Sequence, residues 1–137
     1  MCTVRSARSE DVPQVVALWE RAAGPTRLPG RVPEAQQLFQ RDPDALLVAE
    51  IDGQIVGTLI VGWDGWRCHL YRLAVTPASR RSGVARELVV EASRRAAAGG
   101  ARRLDAMVSV DNADAVAFWE QAGFDRDDED RRWSRRL

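Results

Sequence analysis

Lysine is absent from this 137-residue chain; all 20 of its basic residues are arginine. That excludes Schiff-base chemistry and leaves no lysine amine as nucleophile or acetylation target. Arginine keeps its proton and can grip phosphate or carboxylate oxygens in a fork. Histidine and tyrosine occur once each, as His69 and Tyr71, so the side-chain type best suited to proton transfer near neutral pH has a single representative. The two cysteines, Cys2 and Cys68, are far apart and have no Cys or His companions at metal-ligand spacing. Neither a metal site nor a disulfide framework is expected. No apolar run approaches the roughly 20 residues needed to cross a bilayer, and residues 1–10 lack the apolar stretch of a signal peptide. A cytoplasmic protein with no membrane partner is the expectation. Twenty acidic residues balance the arginines to zero formal charge, which argues against the broad basic footprint of a nucleic-acid partner.

What is present fits one domain spanning residues 1–137. Residues 3–7 alternate like a strand. Ser9 has the chemistry of a helix N-cap, and Val12, Val15, Val16 and Trp19 recur at helical spacing until Gly24-Pro25. Residues 24–33 hold three prolines and two glycines and read as a loop, followed by a short helix over 34–41. Strands are expected over 45–51, 54–63 and 67–76, joined by Asp52-Gly53 and Asp64-Gly65 hairpin signals. A helix over 83–98, carrying a Glu91–Arg95 pair at i,i+4, leads to a strand over 103–110 and a helix over 113–122 capped at Asp111-Asn112. The tail, 124–137, could form two short strands around an acidic turn. This order defines an α+β class with a mixed, mostly antiparallel sheet, in which the 83–98 helix crosses over between two parallel strands.

The chemically informative segment runs from Leu73 to Ala85, a strand leading through a basic, glycine-containing loop into a helix. Such a junction is an anion site: free backbone N–H groups and the helix dipole favour negative charge, and Gly83 and Ala85 leave room for a diphosphate to approach. Arg80, Arg81 and Arg86 add positive charge. An ordinary loop with surface arginines is the competing reading.

Arg80-Arg81-Ser82-Gly83-Val84-Ala85 resembles the R/Q-x-x-G-x-G/A signature of the GNAT acetyltransferases. Asn112, Ala115, Phe118-Trp119-Glu120 and Gly123-Phe124 are similar to that family's N-x-x-A-x-x-F-Y-E-x-x-G-F block. The resemblance covers nearly the whole chain and points to the small bacterial YpeA/RimI-like branch. It implies an acetyl-CoA-dependent N-acetyltransferase with a V-shaped opening between diverging fourth and fifth strands and helices on both sheet faces. Leu73, Ala74 and Val75 would lie along the pantetheine, and residues Arg81, Ser82, Gly83, Val84, Ala85 and Arg86 would cradle the pyrophosphate. Asn112 would meet the pantetheine arm or act as a plain helix cap, and Phe118 and Trp119 would complete the coenzyme site. The resemblance also implies an amine acceptor, a small molecule or peptide, and allows a homodimer.

Attack on a thioester needs a neutral amine, hence a base. His69 is the candidate, with a hydrogen-bonded structural histidine as the alternative. By resemblance its position matches the glutamate base of one branch and one histidine of a His-x-His pair in another, with Tyr71 at the second. Strand alternation places His69 and Tyr71 on one face and Cys68 on the other, so direct transfer is preferred to an acetyl-cysteine route. Trp119 departs from the family's usual tyrosine, whose hydroxyl protonates the leaving thiolate; an indole N–H is too weak an acid for that. Tyr71 or water would then supply the proton, and a catalytically impaired coenzyme A-binding module is the alternative. Trp63 and Trp66 read either as cross-strand packing or as an acceptor wall. The charged tail reads as a solvated segment or as an acidic lip for a cationic substrate.

Overall fold

The computed structural model describes residues 2–22 and 32–137. Two compact units divide the chain, Met1–Met107 and Val108–Leu137. The first contains a five-stranded sheet of order β1-β2-β3-β4-β5, formed by β1 (Thr3–Ser6), β2 (Leu46–Ile51), β3 (Gln54–Trp63), β4 (Cys68–Val75) and β5 (Leu104–Ala106). The first three pairings are antiparallel, and β4–β5 is parallel. Helices α1 (Val12–Ala22), α2 (Val32–Arg41) and α3 (Val84–Ala98) belong to this unit; α4 (Ala113–Gln121) belongs to the second. The stretch 24–33, expected as a loop, lies outside the described residues up to 31, and α2 already begins at Val32.

Alternation along β2 and β3 divides the apolar residues between two helix layers. On one face, Leu46, Val48 and Ile55 join Val12, Val15, Val16, Leu18 and Trp19 of α1 in one buried cluster. On the other, Gly57 lets α3 come close: a Cβ there would lie 2.8 Å from Val84 and 3.0 Å from Leu88. Full burial of each such aliphatic side chain is worth roughly 1.5–3 kcal/mol. The β2–β3 turn follows its sequence signal, with Asp52 at φ 51° and Gly53 at φ 77°, the double left-handed requirement of a type I′ hairpin.

Four expectations are corrected. Ser9 is not an N-cap: residues Ser9–Asp11 form a single 3-10 turn, and the Asp11 carboxylate accepts the Arg8 N–H at 2.7 Å. Arg5 donates to that same carboxylate at 2.7 Å and holds it below the usual aspartate range, so Asp11 anchors the turn in place of a Ser9 cap. The strand expected over 103–110 is confined to Leu104–Ala106, because only those residues find β4 partners. Residues 124–137 form no strand; ten charges in that stretch leave little apolar surface for a sheet to bury. Finally, β4 starts at Cys68 rather than Arg67, because the Asp64 carboxylate collects the N–H groups of Trp66 and Arg67 at 2.7 Å each and keeps them in the turn.

Candidate functional site

The site grows from the unequal pairing of β4. Along β3 it pairs for nearly its whole length, Cys68 with Trp63 through Val75 with Gly57. Its other edge meets β5 only at Cys68, His69 and Leu70. From Tyr71 onward that edge has no strand partner among the described residues. Backbone polar groups on such an edge require partners from elsewhere.

A bulge marks the change. Tyr71 pairs with Ile60 and Ala74 with Thr58, so Arg72 and Leu73 stand opposite Leu59 alone. Arg72 takes φ 52°, in the left-handed region that non-glycine residues avoid. A buried polar chain holds it there: Trp19 Nε1 donates to Thr58 Oγ1 at 2.9 Å, and Thr58 Oγ1 donates to the Arg72 carbonyl at 2.9 Å. The Arg72 guanidinium lies 5.2 Å from the centre of the Trp19 ring, a cation–π distance. Beyond the bulge, Thr76 N–H bonds the Val56 carbonyl at 2.8 Å. By alternation Ala74 shares that direction, which leaves the peptide groups of Leu73 and Val75 on the open edge. Arg80 Nε donates to the Val75 carbonyl at 3.3 Å, and a carbonyl has a second lone pair to offer.

The strand then passes through the 3-10 turn Pro77–Ser79 into α3. Arg81 at φ 63° and Gly83 at φ 87° turn the chain sharply, and the Ser82 hydroxyl donates to the Ser79 carbonyl. The first α3 bond runs from Glu87 N–H to Gly83 O at 3.0 Å. The N–H groups of Val84, Ala85 and Arg86 therefore precede any intrahelical acceptor. A Cβ added at Gly83 would meet nothing within 4 Å, and Arg80, Arg81, Ser82 and Arg86 are exposed. Open space, unpaired donors and arginines thus coincide at one helix start, the requirements for holding a diphosphate.

Before the bulge, His69 and Tyr71 share a face, their ring centroids 6.0 Å apart and tilted by 38°. Gly62 lies across from His69, and a Cβ at that glycine would come within 3.3 Å of the Tyr71 ring. Cys68 points the opposite way and is fully buried. Burial, reinforced by the charges of Asp105 and Asp64, pushes its thiol up, so it is a poor source of thiolate. Trp63 sits across from Cys68, near Gly99 at the end of α3, on the face away from His69. Trp66 is 81% exposed. Two features escaped sequence reasoning: the Trp19–Thr58–Arg72 chain, and Asp105, which the β5 register sets beside His69. Both depend on pairings between distant residues, and no local signal announces them.

In the second unit, Asn112 Oδ1 accepts the Ala115 N–H at 3.0 Å, capping α4. The Trp119 ring makes edge contacts with Phe118 at 5.4 Å and Phe124 at 4.8 Å between centroids. Among the described residues no cluster of three His, Cys, Asp or Glu side chains could hold a metal, and no helix is long and apolar enough to cross a membrane.

A parallel strand ladder that ends after three residues, next to an open helix start, defines an α+β protein with a free strand edge beside a helix start suited to an anion. The acetyltransferase (GNAT) family matches residues 12–124, and the chain belongs to that family. It is thereby an acyltransferase that uses acetyl-CoA. An acetyltransferase of Photorhabdus laumondii is 34% identical over 137 residues, covering 98% of this chain and 94% of that protein. Among solved structures, a ribosomal-protein-alanine N-acetyltransferase from Brucella melitensis is 27% identical with TM-score 0.76, over 90% of this chain and 84% of that one. AAC(6')-Iy, solved with a bisubstrate analog, CoA-S-monomethyl-acetylneamine, has TM-score 0.81 at 18% identity, over 100% and 99% of the two chains.

Proposed function

We propose that this chain transfers acetyl from acetyl-CoA to an amine of a small molecule or peptide by direct attack in a ternary complex. The observation that carries the reading is the early end of the β4–β5 ladder at Leu70, beyond which no strand among the described residues pairs with that edge at Leu73 and Val75, next to the open start of α3. In this reading the peptide groups of Leu73 and Val75 bind the pantetheine amides as an added strand would, with Ala74 between them. Arg80, Arg81, Ser82, Gly83, Val84, Ala85 and Arg86 hold the diphosphate. Asn112, Phe118 and Trp119, in the second unit, are assigned to coenzyme binding on their match to the family block alone. The solved relative at 27% identity, a ribosomal-protein-alanine N-acetyltransferase, is consistent with an amine acceptor.

His69 takes the ammonium proton, directly or through water, and the neutral nitrogen then attacks the thioester carbonyl. The C–N bond forms and the C–S bond breaks; the thiolate leaves with its electron pair and is protonated by Tyr71 or solvent, and the second proton, shed by the nitrogen as it becomes an amide, passes to the resulting phenolate or to water. Trp119 has no such proton to give, and its ring is engaged with Phe118 and Phe124. Release of coenzyme A thiol from acetyl-CoA, followed across an amine panel, tests the activity. We expect His69→Ala to lower turnover about 100-fold and to flatten its rise between about pH 6 and 8. Coenzyme affinity by calorimetry should stay unchanged, and an unaltered pH profile would remove His69 from the mechanism.

A further inference from the structure

Asp105 stands level with His69 in the parallel β4–β5 register. Cα partners in neighbouring strands point their side chains to the same face across a gap of about 4.8 Å. The pair therefore projects together onto the face that carries Tyr71 and the Trp19–Arg72 contact. Across β3 the facing residue is Gly62, which adds no charge. Among the described residues, the other charged or titratable groups on the elements next to His69 are Tyr71 on its own strand, Asp64 in the preceding turn, Arg72 above Trp19, and Arg103. Arg103 grips the Asp105 carboxylate, Nε to Oδ1 at 3.1 Å and Nη2 to Oδ2 at 3.3 Å. Those two contacts use about half of the roughly four lone-pair sites of a carboxylate. The Arg103 side chain is 62% exposed, against 33% for Asp105, and about two lone-pair sites of the carboxylate remain for another donor.

We propose that Asp105 is a positioning residue for His69. A turn of its side chain brings the carboxylate, held by Arg103 in this structure, to one imidazole N–H, which fixes the ring tautomer and leaves the other nitrogen free to take the ammonium proton. Asp105 stays ionised throughout. The proton moves from ammonium to the free nitrogen, the imidazolium is held between carboxylate and solvent, and the proton later passes to water. Arg103 tunes the pair by sharing the carboxylate. The catalytic consequence rests on His69 being the base; the pairing itself does not.

Because His69 is the sole histidine, its ring resonances can be followed through a pH titration of the intact chain with no acceptor present. Asp105→Asn should lower the titration midpoint by about half a pH unit or more, and Arg103→Gln should raise it. In the double variant the Arg103→Gln effect should shrink to less than about half. Nitrogen shifts of the neutral ring should report one dominant tautomer in the parent and a mixture in Asp105→Asn. In turnover, Asp105→Asn should lose about tenfold in kcat at unchanged KM for acetyl-CoA, with part of the loss restored by Asp105→Glu. A midpoint within about 0.2 pH units of the parent in folded Asp105→Asn would overturn the pairing. So would an Arg103→Gln effect that persists in full in the double variant. Should His69→Ala keep the parental pH profile while Asp105→Asn still moves the midpoint, the base assignment fails and the pairing stands.

Discussion

The two halves of β4 have nearly the same length and opposite fates. Cys68, His69 and Leu70 are held between β3 and β5, with Cys68 and Leu70 buried. Tyr71 to Val75 keep only β3, and each is partly or largely exposed. One strand thus serves as core at its start and, in the proposed reading, as binding edge at its end, and the bulge at Arg72 separates the two halves. In that reading coenzyme binding requires no large cavity. It requires a strand whose neighbour stops early and a local distortion fixed from behind by buried hydrogen bonds.

The largest effect should come from breaking the open half where it meets α3. Gly83→Glu puts a side chain on a φ of 87° and a negative charge at a helix start meant for an anion. Coenzyme affinity by calorimetry should drop at least about 100-fold, with His69 and the paired half of β4 undisturbed. Retained affinity would refute the placement of the diphosphate.

A smaller effect sharpens the boundary between the halves. Thr58→Val keeps the shape but removes the hydroxyl that joins the Trp19 N–H to the Arg72 carbonyl. The expected cost is about 2 kcal/mol in denaturant unfolding. Acetyl-CoA should also protect the variant less against thermal unfolding, because the bulge relaxes. Loss of stability with full protection by coenzyme would show that the buried chain does not set the open edge.

The smallest effect concerns the sealed side of the sheet. Arg5 holds the Asp11 carboxyl below its ordinary value, so the folded state binds that proton more weakly than the unfolded chain. The resulting stabilisation is complete above the unfolded pKa of about 4 and is lost as pH falls through the lower folded value. Denaturant titrations from about pH 5 to pH 2 should record about 1 kcal/mol of this loss, and Asp11→Asn should abolish that part of the slope. Coenzyme affinity at neutral pH should be unaffected, since this pair lies on β1 and the turn before α1.

Much of the fold was legible because its signals are local. Asp52-Gly53 imposes a tight hairpin, the spacing from Val12 to Trp19 marks a helix face, and Gly83 after three basic or hydroxyl residues marks the start of α3. The bulge was not legible, because Arg72 carries no turn chemistry of its own; its positive φ is imposed by Thr58 and Trp19, 14 residues and more away in sequence. Strand β5 was overextended because Met107, Val108 and Val110 continue an apolar pattern, whereas the ladder ends at Ala106. Of the candidate site, His69 and Tyr71 could be placed on one face by counting. Asp105 could not, since a parallel register is set by the crossover helix and by core packing.

The most direct test is amide hydrogen exchange on the folded chain, residue by residue, with and without acetyl-CoA. Leu73 and Val75 N–H groups should become strongly protected on binding, as should those of Val84, Ala85 and Arg86, while His69 and Leu70 change little. Acetyl-CoA that binds without slowing exchange at Leu73 and Val75, or that fails to bind at all, would contradict the account.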